Sequence, residues 1–234
     1  GKQSEKYPVF ASYSKQIELK NIFPNVDYKG GYRMQGAEFI ADGGKYADAR
    51  IIFRKNGKKV FVTNANRFSI GKDKLSSQSA GVKIFFDNDS IYHANLQFKY
   101  INSKRLLQLY RGKKGLSGSP MFNTYHQITM DFERLEWKID KDYITFGSLP
   151  NTANSKANFE SVDFYLESKY DKMQGIDAVH PLVLIDQYVR AKQEEIFFVE
   201  DFAFFVKFPL VQVQHYLIHL ANQGFIYYDQ NEER

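Results

Sequence analysis

EIFFVEDFAFFVKFPLVQVQHYLIHLANQGFIYYD, residues Glu195–Asp229, is the stretch that decides the architecture of the C-terminal part of the chain. Apolar residues in its second half recur at i, i+3, i+4, i+7 and i+8, as one face of an α-helix requires: Val213, Tyr216, Leu217, Leu220 and Ala221. Proline is tolerated at the first position of a helix, and glycine commonly follows the last. The pattern therefore predicts a helix over Pro209–Gln223 that ends before Gly224.

Shorter elements are predicted on both sides of this helix. Pro181–Ala191 has apolar residues on one side at helical spacing, and Glu200–Lys207 is long enough for two helical turns. Two aromatic and β-branched runs, Glu195–Val199 and Phe225–Tyr228, predict strands. The predicted order is helix, strand, helix, helix, strand.

This order resembles a winged helix-turn-helix over Asp177–Arg234. In DNA-binding members of that family, the helix equivalent to Pro209–Gln223 enters the major groove, and a strand-turn-strand wing follows it. The resemblance implies a winged-helix-like domain at residues 178–234. We expect this domain to be truncated in the wing, because the sequence stops at Arg234 where a second wing strand would follow.

The face of this helix that would meet a groove carries four polar side chains: Gln212, His215, His219 and Asn222. The helix contains no lysine or arginine, and residues 178–234 hold four Lys and Arg against eight Asp and Glu. Cation contacts to phosphates supply most sequence-independent affinity for nucleic acid. Nucleic acid is therefore not expected on this helix, and we interpret the four side chains as a face for a protein partner.

The preceding part of the chain predicts an antiparallel β domain. Short alternating segments separated by turns run from Ile17 to about Phe146, and Asn56-Gly57 is typical of a tight hairpin. The apolar phase shifts near Glu133-Arg134, which indicates a bulge or corner. About ten strands without a helix favour an antiparallel sandwich or jelly roll, with an elongated β-roll as the alternative.

These patterns together predict a multi-domain α+β chain with three parts. Residues 1–158 form the β-rich sandwich domain, 159–177 form a connection, and 178–234 form the winged-helix-like domain. Within the connection, Phe159–Gly175 fits either a helix or, over Phe159–Tyr165, a final strand. Residues 1–177 carry 28 Lys and Arg against 19 Asp and Glu, because residues 178–234 hold 4 of the chain's 32 Lys and Arg and 8 of its 27 Asp and Glu. This charge split predicts electrostatic attraction between the two parts.

Metal and cofactor chemistry has little support in the sequence. Asp87, Asp89 and His93 have the parity of one strand face and could supply carboxylate and imidazole ligands to a metal. Asp-Asn-Asp-Ser is, however, a common turn composition, because these side chains bond their own backbone. His215 and His219 have the spacing of a zinc-binding pair but lack a third ligand. There is no cysteine, and we predict neither metal nor cofactor.

Catalytic patterns are equally weak, so an enzyme is not favoured. Gly115–Ser119 resembles a nucleophile elbow superficially, but Ser119 does not fit the G-x-S-x-G pattern. Glu133 and Glu136 would fall on opposite faces of a continuous strand, which disfavours a glycosidase pair. No catalytic residue is predicted.

The function predicted is that of a non-catalytic protein-interaction or scaffolding fragment of a larger bacterial protein. YKGGYRMQGAEFIADGG (28–44) and FFDNDSIYHANLQFKY (85–100) resemble a segment of long, uncharacterised bacterial proteins. That resemblance implies an exported or cell-envelope location, with a protein or other domains of the same parent chain as partner. The chain begins at Gly1 without Met, which also predicts a fragment.

Two alternatives remain open from the residues. The basic β domain could bind nucleic acid, or the β sandwich could bind a glycan through exposed aromatic rings or act as a hydrolase. No apolar run is long enough to predict a membrane-spanning helix.

Overall fold

A computed structural model describes residues 9–14, 17–35, 38–44, 48–112, 115–149, 157–162, 170 and 179–229. Within these residues the chain forms a β region of strands β1–β15, a short 3-10 helix at Gly115–Gly118, and three C-terminal α-helices. The first eight strands are β1 Val9–Ala11, β2 Ile17–Phe23, β3 Val26–Gln35, β4 Glu38–Asp42, β5 Ala49–Lys55, β6 Lys58–Ala65, β7 Arg67–Ile70 and β8 Lys74–Phe86. The others are β9 Asp89–Ile101, β10 Leu106–Tyr110, β11 Met121–Asn123, β12 Ile128–Asp131, β13 Arg134–Lys138, β14 Thr145–Gly147 and β15 Asn158–Ser161.

All pairings between the described strands are antiparallel, and they divide the β region into two layers. The first layer has the order β2-β3-β5-β6-β8-β9-β11-β12-β15. The second has the order β1-β3-β4-β7-β8-β9-β10-β13-β14. The long strands β3, β8 and β9 belong to both layers, because each pairs with different neighbours in its two halves.

Each long strand changes layer at an irregular point. In β3 the pairing passes from β5 to β4 at Gly30, where φ is +154° and an added Cβ would lie 2.5 Å from the Tyr28 hydroxyl. In β8 the register shifts twice between Ser77 and Val82. Bulges bend strands and increase their twist, so these irregularities let one strand turn from the first layer into the second.

Aromatic rings from the two layers meet in the core. Phe53 of β5 packs edge-on against Tyr100 of β9 with ring centroids 4.7 Å apart, and Phe61 of β6 stacks on Phe98 of β9 at 6.0 Å. The half of β9 that holds Phe98 and Tyr100 pairs with β10 of the second layer, whereas β5 and β6 belong to the first layer. These rings therefore fill the space between the layers. The predicted order of antiparallel strands followed by C-terminal helices is confirmed, and the two-layered arrangement is consistent with a sandwich or jelly roll.

Local predictions within the β region agree with the structure. Asn56 and Gly57 both have positive φ, at 52° and 76°, and join β5 to β6 in a two-residue hairpin. The corner expected near Glu133-Arg134 is present, since β12 lies in the first layer and β13 in the second. β15 pairs with β12 and continues the sheet to Ser161, past the predicted boundary at 158. Of the predicted connection, residues 163–169 and 171–177 lie outside the described part of the chain.

The C-terminal part contains three helices: α1 Pro181–Lys192, α2 Val199–Val206 and α3 Leu210–Asn222. His180 caps α1, its ring Nδ1 accepting a hydrogen bond from the Leu182 amide at 3.1 Å. Val213, Leu217, Leu220 and Ala221 of α3 are buried, as the apolar spacing predicts. The three helices and the segment Phe225–Asp229 are called the helical region below.

The two strands predicted beside these helices are wrong. Residues 194–198 and 225–229 form neither helix nor strand. Phe197 packs instead against Tyr188 and Phe202 at centroid distances of 4.9 and 5.3 Å, so packing on neighbouring helices outweighs its β propensity. The resemblance to a winged helix-turn-helix stays a prediction, because residues 230–234, where the wing would continue, lie outside the described part.

Apolar contacts join the helical region to the β region. Leu116 of the 3-10 helix is buried in the core of the helical region. The Tyr227 ring packs edge-on against Tyr92 of β9, with centroids 4.7 Å apart, and against Phe122 of β11 at 6.3 Å. The contact between the two regions is therefore apolar at these positions, although their net charges are opposite.

Candidate interaction surface

The polar face predicted on α3 is divided in the structure. Gln212, His215 and His219 are exposed, and the Gln212 side-chain amide donates a hydrogen bond to the Tyr216 hydroxyl at 3.2 Å. Asn222 is partly buried and faces a polar cleft that Arg111 of the β region also lines. Three of the four predicted residues therefore share a solvent-exposed face, and the fourth lies against the β region.

The three metal candidates do not converge. Asp87 is exposed in the β8–β9 turn with φ 53°, and the Asp89 carboxylate accepts a hydrogen bond from the Thr124 hydroxyl at 2.9 Å. His93 is buried in β9 next to a shift in the β8–β9 register, at a point called the bend of β9 below. Among the residues that the structure describes, no group of three or more His, Asp or Glu side chains could hold a metal ion.

His93 and Ser119 form a buried pair, although they are 26 residues apart and no motif in the sequence connects them. The Ser119 Oγ lies 3.0 Å from His93 Nε2, a distance compatible with a serine nucleophile and its base. However, His93 Nδ1 accepts a hydrogen bond from the Asn95 amide at 2.9 Å, so the ring proton of the neutral form is on Nε2. That proton is donated to the Ser119 carbonyl at 2.9 Å.

The position of the proton on His93 indicates that this pair has a structural and not a catalytic role. With its proton on Nε2, His93 has no lone pair directed at Ser119, and the Ser119 hydroxyl donates to the Leu116 carbonyl at 2.7 Å. Burial lowers the pKa of His93 to about 4, which keeps the ring neutral. The pair therefore fixes the loop before β11 to the bend of β9, and it is not arranged for proton transfer.

In contrast to the buried His93–Ser119 pair, an apolar cleft of about 470 Å³ in the helical region is open to solvent. One wall comes from α1 and α3 through Ile185, Val189 and Leu217. The other walls come from the two irregular segments and from β9. Their lining residues are Glu195, Ile196, Phe197, Phe225, Ile226, Tyr227, Tyr228, Asp229 and Tyr92. The segments predicted as strands thus form much of this cleft, which has carboxylates from Glu195 and Asp229 in its lining.

Exposed apolar side chains continue from the cleft along α2. Ile196 is 71% exposed, Phe198 55% and Phe204 88%. Four exposed carboxylates lie in the same stretch of chain: Glu194, Glu195, Glu200 and Asp201. The exposed residues of 194–205, together with the cleft, are called the acidic aromatic surface. Exposed apolar groups surrounded by charges mark many protein-interaction sites.

Some of these carboxylates also have a structural role. The N-cap of α2, Phe198, offers no side-chain acceptor, and Glu200 and Asp201 in the first turn compensate by interacting with the helix dipole. Glu194 and Glu195 precede the helix and have no such role. Burial raises the pKa of the Tyr188 hydroxyl, and the nearby charges of Asp201 and Glu194 raise it further. The carboxylates of Asp201 and Glu194 therefore both lie close to the Tyr188 hydroxyl.

A signal for this surface was present in the sequence. The run from Ile196 to Val206 holds more aromatic and aliphatic side chains than two helical turns can bury on one face. Val199, Phe202 and Ala203 occupy the buried face, and the neighbouring Phe198 and Phe204 are left exposed. The polar stripe of α3 was predicted as an interaction face from the resemblance to DNA-binding helices, whereas the surplus of apolar residues lies on α2.

No protein-family model and no curated protein matches this chain. Among solved structures, the chain is similar to LptH from Pseudomonas aeruginosa, the LptA homologous periplasmic component of the lipopolysaccharide transport device. The sequences are 11% identical, the match covers 66% of this chain and 93% of LptH, and the TM-score is 0.25. This similarity is too low to indicate a shared fold or activity.

None of the helices that the structure describes is long and apolar enough to span a membrane.

Proposed function

We propose that this chain is a non-catalytic protein-interaction module, and that its acidic aromatic surface binds a basic amphipathic segment of a partner. The observation that carries the proposal is the apolar cleft, which has two carboxylates in its lining and exposed aromatic side chains beside it. An apolar side chain of the partner would enter the cleft, and lysine or arginine residues on either side of it would meet Glu195 and Asp229.

The size and chemistry of the cleft support a side-chain anchor. Protein interfaces concentrate their binding energy in a few aromatic or aliphatic residues that fill desolvated pockets. A cleft of about 470 Å³ is large enough for such an anchor. Charged groups at the rim mainly set specificity and the rate of association.

The sign of the charge favours a basic partner over other polymers. Anionic lipid surfaces and nucleic acids attract cationic residues, whereas residues 194–201 carry four carboxylates and no lysine or arginine. The acidic aromatic surface is therefore suited to a cationic protein segment.

A direct test uses two 18-residue amphipathic peptides of opposite charge, one built from Leu and Lys and the other from Leu and Glu. We expect fluorescence anisotropy to show saturable binding of the Leu/Lys peptide, and weaker binding in 0.5 M than in 0.1 M NaCl because salt screens charge pairs. The double variant Glu195→Lys/Asp229→Lys should reverse the preference and bind the Leu/Glu peptide.

The matched control reverses two exposed carboxylates elsewhere, in Glu18→Lys/Asp186→Lys, so that net charge changes equally. We expect this control to keep the preference of the unmodified chain. If both double variants reversed the preference equally, overall charge rather than the acidic aromatic surface would select the peptide, and the proposal would be wrong.

A further inference from the structure

A second cleft, of about 940 Å³, opens in the β region where the last strands of the two layers face each other. Phe146 of β14 and Phe159 of β15 both line the cleft, and their rings pack edge-on with centroids 6.0 Å apart. β14 ends the strand order of the second layer and β15 that of the first. The cleft therefore lies where the terminal strands of the two layers meet.

The lining of this cleft is largely apolar and comes from both layers. The first layer contributes Ile84, Ile91, Ile128 and Met130, and the chain around the second layer contributes Trp137, Ile144 and Phe146. The indole nitrogen of Trp137 donates a hydrogen bond to the Lys141 carbonyl at 2.9 Å. Since its polar atom is already paired, Trp137 offers the cleft an apolar ring.

Most polar side chains that line the cleft are either charged or already hydrogen-bonded within the protein. The Asn123 side-chain oxygen accepts hydrogen bonds from the amides of Tyr125 and His126 at 3.0 and 3.2 Å. A sugar or nucleotide needs several convergent hydrogen-bonding groups, which this apolar lining does not favour.

The charged residues of the cleft have a positive sum. Lys55 and Lys141 line it together with Asp142. The Lys55 ammonium lies 2.9 Å from the Asp142 carboxylate, and Lys141 is exposed. The hydrogen bond from Lys55 and the nearby charges of Lys55 and Lys141 lower the pKa of Asp142. One carboxylate thus faces two ammonium groups.

We propose that this cleft binds a single-chain amphiphile with an anionic head, such as a fatty acid. The acyl chain would contact the isoleucines and Phe146 between the layers, and the carboxylate would lie near Lys141. The volume falls within the range of about 300–1,000 Å³ that small-molecule sites occupy. This site is separate from the acidic aromatic surface and does not depend on its proposed role.

The test uses 11-(dansylamino)undecanoic acid, whose fluorescence rises in an apolar site, with the whole chain. We expect saturable binding that decanoate and dodecanoate displace, each below its micellar concentration. Because each buried methylene adds a constant increment, dodecanoate should bind roughly tenfold tighter than decanoate. Lys141→Glu should weaken dodecanoate about three- to tenfold while leaving dodecanol unchanged.

Cleft-filling variants locate the site. Ile128→Trp and Ile144→Trp should each reduce probe binding at least tenfold, whereas the matched variant Ile196→Trp, on the helical region, should not. Thermal melting identifies which variants are folded, and two independent positions are used in case one is not. Unchanged probe binding in a folded cleft variant would overturn the proposal. Displacement by the Leu/Lys peptide but not by dodecanoate would also overturn it, in favour of a protein segment as occupant.

Discussion

The β region and the helical region bury their apolar residues to different degrees. In the β region, Phe53, Phe61 and Phe98 are enclosed between two layers and are at most 1% exposed. In the helical region, Phe198 and Phe204 remain more than half exposed, and the core includes Leu116 from the β region. The β region can therefore complete its core from its own strands, whereas the helical region depends on a neighbour and leaves apolar surface uncovered.

The largest expected effect separates the stabilities of the two regions. Leu217→Asp places a carboxylate in the core of the helical region, which costs several kcal/mol and should unfold α1–α3. We expect circular dichroism to lose its helical component while strand signal persists. His215→Asp, on the exposed face of the same helix, is the control and should melt like the unmodified chain. Loss of both the helical and the strand signal in one step would show that the β region does not stay folded without the helices.

The second prediction compares phenylalanines from the two regions. Phe98→Ala removes a ring that packs against Phe53, Phe61 and Phe68, and should cost about 3–5 kcal/mol in the free energy of unfolding of the β region. Phe204→Ala removes a ring that is 88% exposed and should leave stability nearly unchanged. Urea denaturation measures both. A large loss in Phe204→Ala would mean that this ring packs in the folded chain, contrary to its exposure.

The third prediction tests how strongly the helical region relies on its neighbour. Leu116→Ala should destabilise the helical region by about 2–5 kcal/mol, because the side chain is buried among the helices although it belongs to the β region. The helical transition should move to lower urea concentration, and the β transition should move less. Equal shifts would show that both regions unfold as one cooperative unit.

The fourth prediction concerns pH and the buried His93. Its pKa is about 4 in the folded chain and near 6.5 when unfolded, so the unfolded state binds more protons between these values. Stability from this group is therefore lost as pH falls from 6.5 toward 4, by about 2 kcal/mol between pH 7 and pH 5. His93→Gln should show a smaller loss over the same interval. An equal pH dependence in both proteins would show that other groups cause it.

The smallest expected effect is that of salt on the arrangement of the two regions. The opposite net charges predict attraction that weakens as the Debye length falls from about 10 Å at 0.1 M to about 3 Å at 1 M salt. The contacts of Tyr227 and Leu116 are apolar, however, and apolar contacts do not weaken with screening. We expect the radius of gyration from small-angle scattering to stay constant. A larger radius at high salt would favour the electrostatic interpretation.

The sequence predicted those features of the fold that depend on neighbouring residues. Asn56-Gly57 determines a hairpin because both residues accept positive φ, and the spacing of Val213, Leu217 and Leu220 determines a buried helix face. The division of β3, β8 and β9 between two layers was not predictable in this way. It depends on which distant strand pairs with each half of the long strand. The alternation of apolar and polar residues along one strand does not indicate which strand it pairs with.

The candidate site was harder to predict for the same reason. Asp87, Asp89 and His93 share a parity, but the turn and the bend of β9 direct them to different surroundings. Asn222 shares a helical stripe with Gln212, yet the β region covers that end of α3. Periodicity assigns a face to each residue, and tertiary contacts decide what that face meets.

The long β8–β9 hairpin also has a consequence for the order of assembly during synthesis. Its turn, Asp87-Asn88, closes a short loop, so this hairpin is formed at low entropic cost once residue 101 has emerged. Strands β1–β7 leave the ribosome before β8 and β9, which are two of the three strands that belong to both layers. We therefore expect the β region to fold late and cooperatively, with the N-terminal strands docking onto the completed hairpin.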